Sequence, residues 1–387
     1  MIPRITGGPG PSGEKGGIQM REVGVHVFPM AEPNDLRPFE ALIDRGEIDP
    51  RTVVAIITKT EGNGRVNDFS RPFAAHVLAE LVGRHLGLAP KAVPNRVALV
   101  MSGGCEGVMT PHAVVFTRRP ASGAATGAGL RLAVGVGFSR EMTPEEVGTM
   151  VQVELTADAT RAALKDAELT PGEVKFVQTK GPLLTSERIN EARARGKRVV
   201  TSDVVRSLGF SNGASALGVG LGLGLISRER LRDEVICQDE TLWCEVASCS
   251  AGVETMHVAV VVMGNSAQAT GPYRIGHAVM QDLIDADAVR AAMGDAGLAF
   301  DGVPGSEVTG QVVAAFAKGI VDPSGRLRGY RTTLLTDSDL GTRPARAVLN
   351  AVVGSVLRTP MVYASAGWGY HQGRTGGGLV AVIAGGA

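Results

Sequence analysis

Three lysines, Lys59, Lys180 and Lys318, each close a β-branched apolar run: VVAIIT, VKFVQT and VVAAFA. Downstream of each, beyond a stretch with helical pattern, a second apolar run ends in a serine followed by small residues: Ser102-Gly103-Gly104, Ser250-Ala251-Gly252 and Ser365-Ala366-Gly367. A serine hydroxyl is a weak nucleophile until a base stands within hydrogen-bond reach. Lysine fills that role when burial or a neighbouring cation brings its pKa toward neutrality. The small residues after each serine free a backbone N–H to approach a ligand oxygen, as an oxyanion hole requires. No GxSxG accompanies these serines, and no histidine occupies a matching position. A serine–histidine triad is therefore not the expectation. One strand-terminal lysine is ordinarily a solvated edge residue. Three of only eight lysines at matched positions call for a shared role.

The elements that must position them repeat as well. Strand-then-helix patterns occur at 22–28 before 36–45, at 131–138 before 143–169 and at 273–280 before 285–298. Each leads into a lysine run, a serine run and a closing apolar strand at 112–117, 257–263 or 379–384. The chain thus reads three times as strand, helix, strand-Lys, helix, strand-Ser, strand, with Ala/Gly/Ser-rich linkers between the units. The expected architecture is α/β: three related α+β repeats, at 21–120, 130–264 and 272–387, about a pseudo-threefold axis. Such an axis brings three Ser-Lys pairs onto one small pocket, matched to a small ring with carbonyls on three sides. The reaction class this predicts is hydrolysis of a cyclic amide through a serine acyl intermediate.

Composition narrows the alternatives. The chain has 387 residues, 39 basic and 39 acidic, for a formal net charge of zero. Nucleic acids and anionic membrane surfaces select for excess positive charge, so neither is an expected partner. The apolar run Ala214–Ser227 is too short and too rich in glycine to cross a bilayer. Residues 1–20 carry glycine, proline and charge without an apolar stretch, so they read as a disordered leader, and a cytoplasmic protein is expected. The four cysteines form no CxxC pair, and none of the seven histidines sits in HExxH, so no zinc site is predicted and no cofactor is expected.

Several runs resemble the cyclic amide hydrolases, the family of cyanuric acid hydrolase and barbiturase. They are Lys59-Thr-Glu-Gly-Asn-Gly64, Val66-Asn-Asp-Phe-Ser-Arg71, Val100-Met-Ser-Gly-Gly104 and Glu106-Gly-Val108 in the first unit. In the second they are Lys180-Gly-Pro-Leu-Leu-Thr185, Gly213-Ala-Ser-Ala-Leu-Gly218 and Ser248-Cys-Ser-Ala-Gly252, and in the third Asp337-Ser-Asp339 and His371-Gln-Gly373. The resemblance covers about residues 20–387 and implies a three-repeat fold with one central site per chain and usually a homotetramer. It implies Ser250 as nucleophile with Lys180 as its base. Ser102 and Ser365, with the N–H groups of Gly103, Ala251 and Ala366, would bind carbonyls, supported by Lys59 and Lys318. One arginine per repeat would hold the ring. Arg71 fills the first position and Arg346 the third, with Arg343 one turn away as an alternative.

The second position departs from the family pattern: Asn212 stands in Ser211-Asn-Gly-Ala-Ser215 where an arginine is expected. Its loss removes a charge-assisted donor. Either the substrate lacks, or is substituted at, the ring edge that arginine would hold, or a neighbour such as Arg206 replaces it. Cyanuric acid, with three equivalent edges, is accordingly not the expected substrate. A second departure is Ile320, where many relatives have a carboxylate beside a divalent cation, together with Arg374 in the C-terminal loop. Hard cations need oxygen ligands, so no metal is expected. The glycine alternation Gly218–Gly224 continues a helix rather than linking a strand to one, which sets a dinucleotide site aside. The competing readings are a barbiturase or cyanuric acid hydrolase proper, each implied by the resemblance, and a binding protein that kept the fold and lost turnover. Retention of all three serines and lysines favours the enzyme.

Overall fold

The computed structural model describes residues 20–121, 129–333, 340–341, 343–367 and 369–385. Most of the leader, the linker residues 122–128, the Asp337-Ser-Asp339 motif and Trp368 lie outside the described residues.

The first unit runs β1 (Arg21–Pro29), α1 (Arg37–Asp44), β2 (Val53–Thr60), α2 (Ser70–Leu86), β3 (Ala98–Gly103) and β4 (His112–Pro120). The second runs β5 (Arg131–Phe138), α3 (Met150–Ala167), β6 (Val174–Pro182), α4 (Ser186–Ala194), α5 (Val204–Gly222), β7 (Ala247–Gly252) and β8 (Ala259–Ser266). A short β9 (Ala269–Thr270) leads into the third. That unit is built from β10 (Tyr273–Met280), α6 (Ala286–Asp295), α7 (Ser306–Thr309), β11 (Val312–Ile320), β12 (Arg326–Leu327), β13 (Tyr330–Arg331), α8 (Arg343–Leu357), β14 (Tyr363–Gly367) and β15 (Gly378–Gly385).

The three main sheets have one topology. Their orders are β3-β2-β4-β1, β7-β6-β8-β5 and β14-β11-β15-β10, with β9 added beside β1. In each, the lysine strand pairs in parallel with the serine strand and antiparallel with the closing strand. A parallel pair cannot be joined by a tight turn. The helices α2, α4–α5 and α8 are the crossovers this demands. Even the irregularities match: the lysine strand slips register at Val53/Ala55, Val174/Phe176 and Val312/Ala314.

Because the strands alternate, each sheet has an inner and an outer apolar face. The outer faces are covered by the unit's own helices, α2 in the first, α3 and α5 in the second, α6 and α8 in the third. The inner faces pack on one another in a core drawn from all three units, among them Val25, Ile57, Phe116, Phe176, Phe316 and Tyr363. Phe316 is its hub, with ring centroids 5.0 Å from Phe176, 5.9 Å from Tyr363 and 6.4 Å from Phe116.

One expected element is divided. The continuous helix read over 143–169 is a capped 3₁₀ turn at Pro144–Glu146 and then α3, separated by Gly148 at φ +77°. The positive φ suits glycine and ends the first turn. The glycine alternation of α5 is a packing device: a Cβ on Gly218 would lie 2.5 Å from Thr156 Cβ, and one on Gly222 2.8 Å from the Ala157 carbonyl, so α5 seats directly on α3. Gln152 of α3 fixes the rotation of α5 by donating to Ser211 Oγ and Ser215 Oγ, both at 2.9 Å. Among the described residues no helix is long and apolar enough to cross a membrane.

Truncating the hub should be costly. Phe316→Ala is expected to lower the unfolding free energy by about 3–5 kcal/mol, as for other buried aromatics, read from the shift of a denaturant unfolding curve.

Candidate active site

The parallel pairing sets lysine beside serine in all three sheets: Lys59 opposite Ser102, Lys180 opposite Ser250, Lys318 opposite Ser365. All three lysines are buried. Burial disfavours an ammonium and pushes Lys59 down to about 7 and both Lys180 and Lys318 down to about 8.

The three ammonium groups are bonded differently. Lys59 Nζ donates to Ser102 Oγ at 3.3 Å and to the Gly103 carbonyl at 3.1 Å. Lys318 Nζ donates to Ser365 Oγ at 3.2 Å and, across the unit boundary, to the Cys249 carbonyl at 3.4 Å. Lys180 Nζ also crosses, donating to the Met101 carbonyl at 2.7 Å, but its remaining partner is Glu254, at 2.7 Å, and not Ser250. The expected Lys180–Ser250 hydrogen bond is therefore not formed in this structure; Ser250 Oγ donates instead to the Thr179 carbonyl at 3.5 Å. The reason is electrostatic: a buried carboxylate beside a buried ammonium outcompetes a neutral hydroxyl. Burial would raise the Glu254 carboxyl, but Lys180 and Arg71 together hold it below the usual value. Glu254 folds back under β7 because Gly252 has no side chain; a Cβ there would lie 2.0 Å from Glu254 Oε2. Asp68 uses Gly103 in the same way, with a hypothetical Cβ 1.8 Å from Oδ2.

The serine ends of the three sheets open on one cavity of about 470 Å³. Its walls include Ser102, Gly103, Ser250, Ala251, Ser365, Ala366, Arg71, Asn212, Arg346 and Lys318. Lys59 and Lys180 are not part of the lining and lie buried outside it. Arg65, Arg206 and Arg343 add further cations to the lining, and no carboxylate contributes to it among the described residues. Such a cavity favours carbonyl oxygens, a developing oxyanion and an anionic product. Arg346 is not a free cation: Glu106 accepts two of its N–H groups, with the Nε bond at 2.7 Å, and the guanidinium lies over Gly64 and Gly104. Arg343 is exposed and lines the same space. Asn212 is buried, and its Oδ1 has no hydrogen-bond partner. Arg206 lies six residues earlier on α5, roughly 9 Å along the axis at 1.5 Å per residue, is exposed and lines the same cavity, so a cation remains on this side of the site.

The C-terminal loop closes the site from the third unit onto the second. Gln372 Oε1 accepts the Cys249 N–H at 2.6 Å, bracing the residue before Ser250. His371 Nε2 accepts the Cys237 N–H at 2.8 Å while Nδ1 donates to the Leu242 carbonyl, and burial keeps the ring neutral by lowering its pKa. These bonds also bear on a divalent cation. Ile320 presents hydrocarbon, its Cδ1 2.4 Å from where a Cβ on Gly369 would stand, and the His371 and Gln372 acceptors are already engaged. The donor set does not fit such an ion.

A family model described as amidohydrolase ring-opening protein matches residues 24–385. The chain belongs to this family. A cyclic amide hydrolase of Azorhizobium caulinodans is 46% identical over 364 residues, covering 94% of this chain and 99% of the relative. A cyanuric acid amidohydrolase of Enterobacter cloacae is 47% identical over 364 residues, covering 93% and 98%. A solved cyanuric acid hydrolase structure superposes with a TM-score of 0.89 at 44% identity, covering 95% of this chain and all of that one. The chain is thus a ring-opening amidohydrolase, and the reading as a binder that lost turnover gives way.

Two residues of the site were missed from sequence. Glu254, four positions after Ser250, carried only the faint signal of an acid close to a motif. Tyr363, two positions before Ser365, is wholly buried, and its hydroxyl faces the Ser102 and Ser250 hydroxyls. The equivalent positions in the other units are Val100 and Ser248, so this phenol has no counterpart by which repetition could reveal it.

Glu254→Gln removes the anion that pulls the Lys180 pKa upward. An opposite charge at this range is worth about 1–3 units, so the Lys180 pKa should fall from about 8 by about one unit or more, as followed by NMR titration of the lysine Nζ.

Proposed function

We propose that this chain opens a small cyclic amide ring by acyl transfer to Ser250. The observation that carries the reading is the three-fold identical Lys-Ser register converging on one cation-lined cavity. Ser250 Oγ attacks a ring carbonyl while its proton passes to neutral Lys180. The oxyanion is met by backbone N–H groups following the serines, with the Ser102 and Ser365 hydroxyls polarising the other carbonyls. Collapse breaks the ring C–N bond, the ring nitrogen takes the proton back from Lys180, and water then hydrolyses the ester. Lys180 must first leave its ion pair with Glu254, so the competent form is the neutral amine, whose share grows as pH rises through about 8.

A second assignment within the same chemistry has its own support. Lys59–Ser102 and Lys318–Ser365 are the pairs already hydrogen bonded, and Lys59 is the most readily neutral of the three. Trapping decides between them: the covalent adduct is expected on the peptide bearing Ser250, by mass spectrometry after acid quench, and an adduct on Ser102 or Ser365 reassigns the nucleophile.

The names of the relatives frame the substrate as a cyclic amide, cyanuric acid included. Asn212 supports a ring with one edge unlike the other two, because a neutral amide replaces a cation there.

Three outcomes are expected. Ser250→Ala loses ring opening by about 10³-fold or more in kcat. For the intact enzyme, kcat/KM rises about tenfold per pH unit below pH about 8 and levels above it, because protonation of Lys180 removes the base. Asn212→Arg raises kcat/KM on cyanuric acid; an unchanged value removes the specificity argument.

A further inference from the structure

The cavity is larger than a ring requires and is unlike itself from side to side. A benzene-sized ligand occupies a dry cavity of about 150 Å³, whereas the cavity here, partly open to solvent, offers about 470 Å³. The surplus is about two further volumes of that size. Its α5 side is walled largely by apolar side chains, with Arg206 among them. On the α5 side stand Val205, Leu208, Phe210 and, from the C-terminal loop, Tyr370. Val205 is 61% exposed and Tyr370 37% exposed, an apolar cluster left facing water at the entrance to a polar site. Grouped exposed apolar side chains of this kind mark ligand contact.

The wall is held in place. The Tyr370 ring lies against α5 at Gly209, where a Cβ would come within 3.3 Å of Cε2, so the absence of a side chain at 209 creates the shelf. The next residue, His371, is anchored by its bond to the Cys237 N–H. At the inner end of the wall sits Asn212, neutral, with its buried Oδ1 lacking a partner. An arginine at 212 would carry charge into the space between ring and wall. Asparagine adds no charge at that point.

We propose that the substrate ring bears an apolar substituent of about three to six carbons on the edge facing Asn212, lodged against Val205, Leu208, Phe210 and Tyr370. This rests on the assignment of the cavity as the ring-opening site and selects between an absent and a substituted edge. Burying one methylene in such a pocket is worth about 10-fold or more in kcat/KM, so the substituent would set selectivity.

The test compares barbituric acid with 5-butylbarbituric acid, by kcat/KM on the intact chain and by calorimetric dissociation constants on Ser250→Ala. The expected result is a preference of at least about tenfold for the butylated ring in both measurements, with Leu208→Ser lowering the ratio. Equal kcat/KM and equal dissociation constants overturn the substituent while leaving ring opening intact. Tighter binding of the butylated ring with no turnover of either compound supports the subsite and overturns the catalytic reading. A preference that survives Leu208→Ser combined with Val205→Ser overturns the assignment to this wall.

Discussion

Three lysine amino groups lie inside this molecule, and each is met by oxygen partners. A buried unpaired cation is among the most expensive arrangements a protein can hold. Two of the three solve this by reaching out of their own unit, Lys180 to the Met101 carbonyl and Lys318 to the Cys249 carbonyl. Each of those carbonyls belongs to the residue immediately before a site serine. Two of the lysines therefore cross-link the units at the point where the serines converge.

The apolar interior makes this possible. A single two-layer unit would leave one sheet face and its lysine in water. Joining three inner faces around Phe316 removes water from all of them at once, which lowers the lysine pKa values and dries the field around the serines. Stability and reactivity thus share one origin. The symmetry is nevertheless incomplete: Glu254 beside Lys180, the phenol of Tyr363, and Asn212 among the arginines of the lining make three similar corners unlike one another.

Much of this was legible in the residues. The strand-Lys and strand-Ser runs are local patterns of apolar alternation, so the repeated units and the Lys59/Ser102-type pairs could be read without coordinates. The helix over 143–169 was misread because the periodicity on either side of Gly148 is continuous, while its positive φ is visible only in the backbone. Glu254 was not legible, since one acid among 39 acquires meaning only when a turn folds it under Gly252. The Lys180–Met101 contact spans 79 positions and belongs to the packing of units rather than to any motif. The alternating glycines of α5 could be denied a nucleotide, but their seat on Thr156 and Ala157 needed the helix pair.

The bond from Gln372 to the Cys249 N–H has a consequence in time. It spans 123 positions, with the brace for the serine strand of the second unit supplied by the third. At about 5–20 residues per second, a ribosome needs roughly 6 to 25 seconds to travel between them. Throughout that interval the emerging second unit carries its serine on an unbraced strand. The serine strand of the second unit thus acquires its brace only after the third unit has been made.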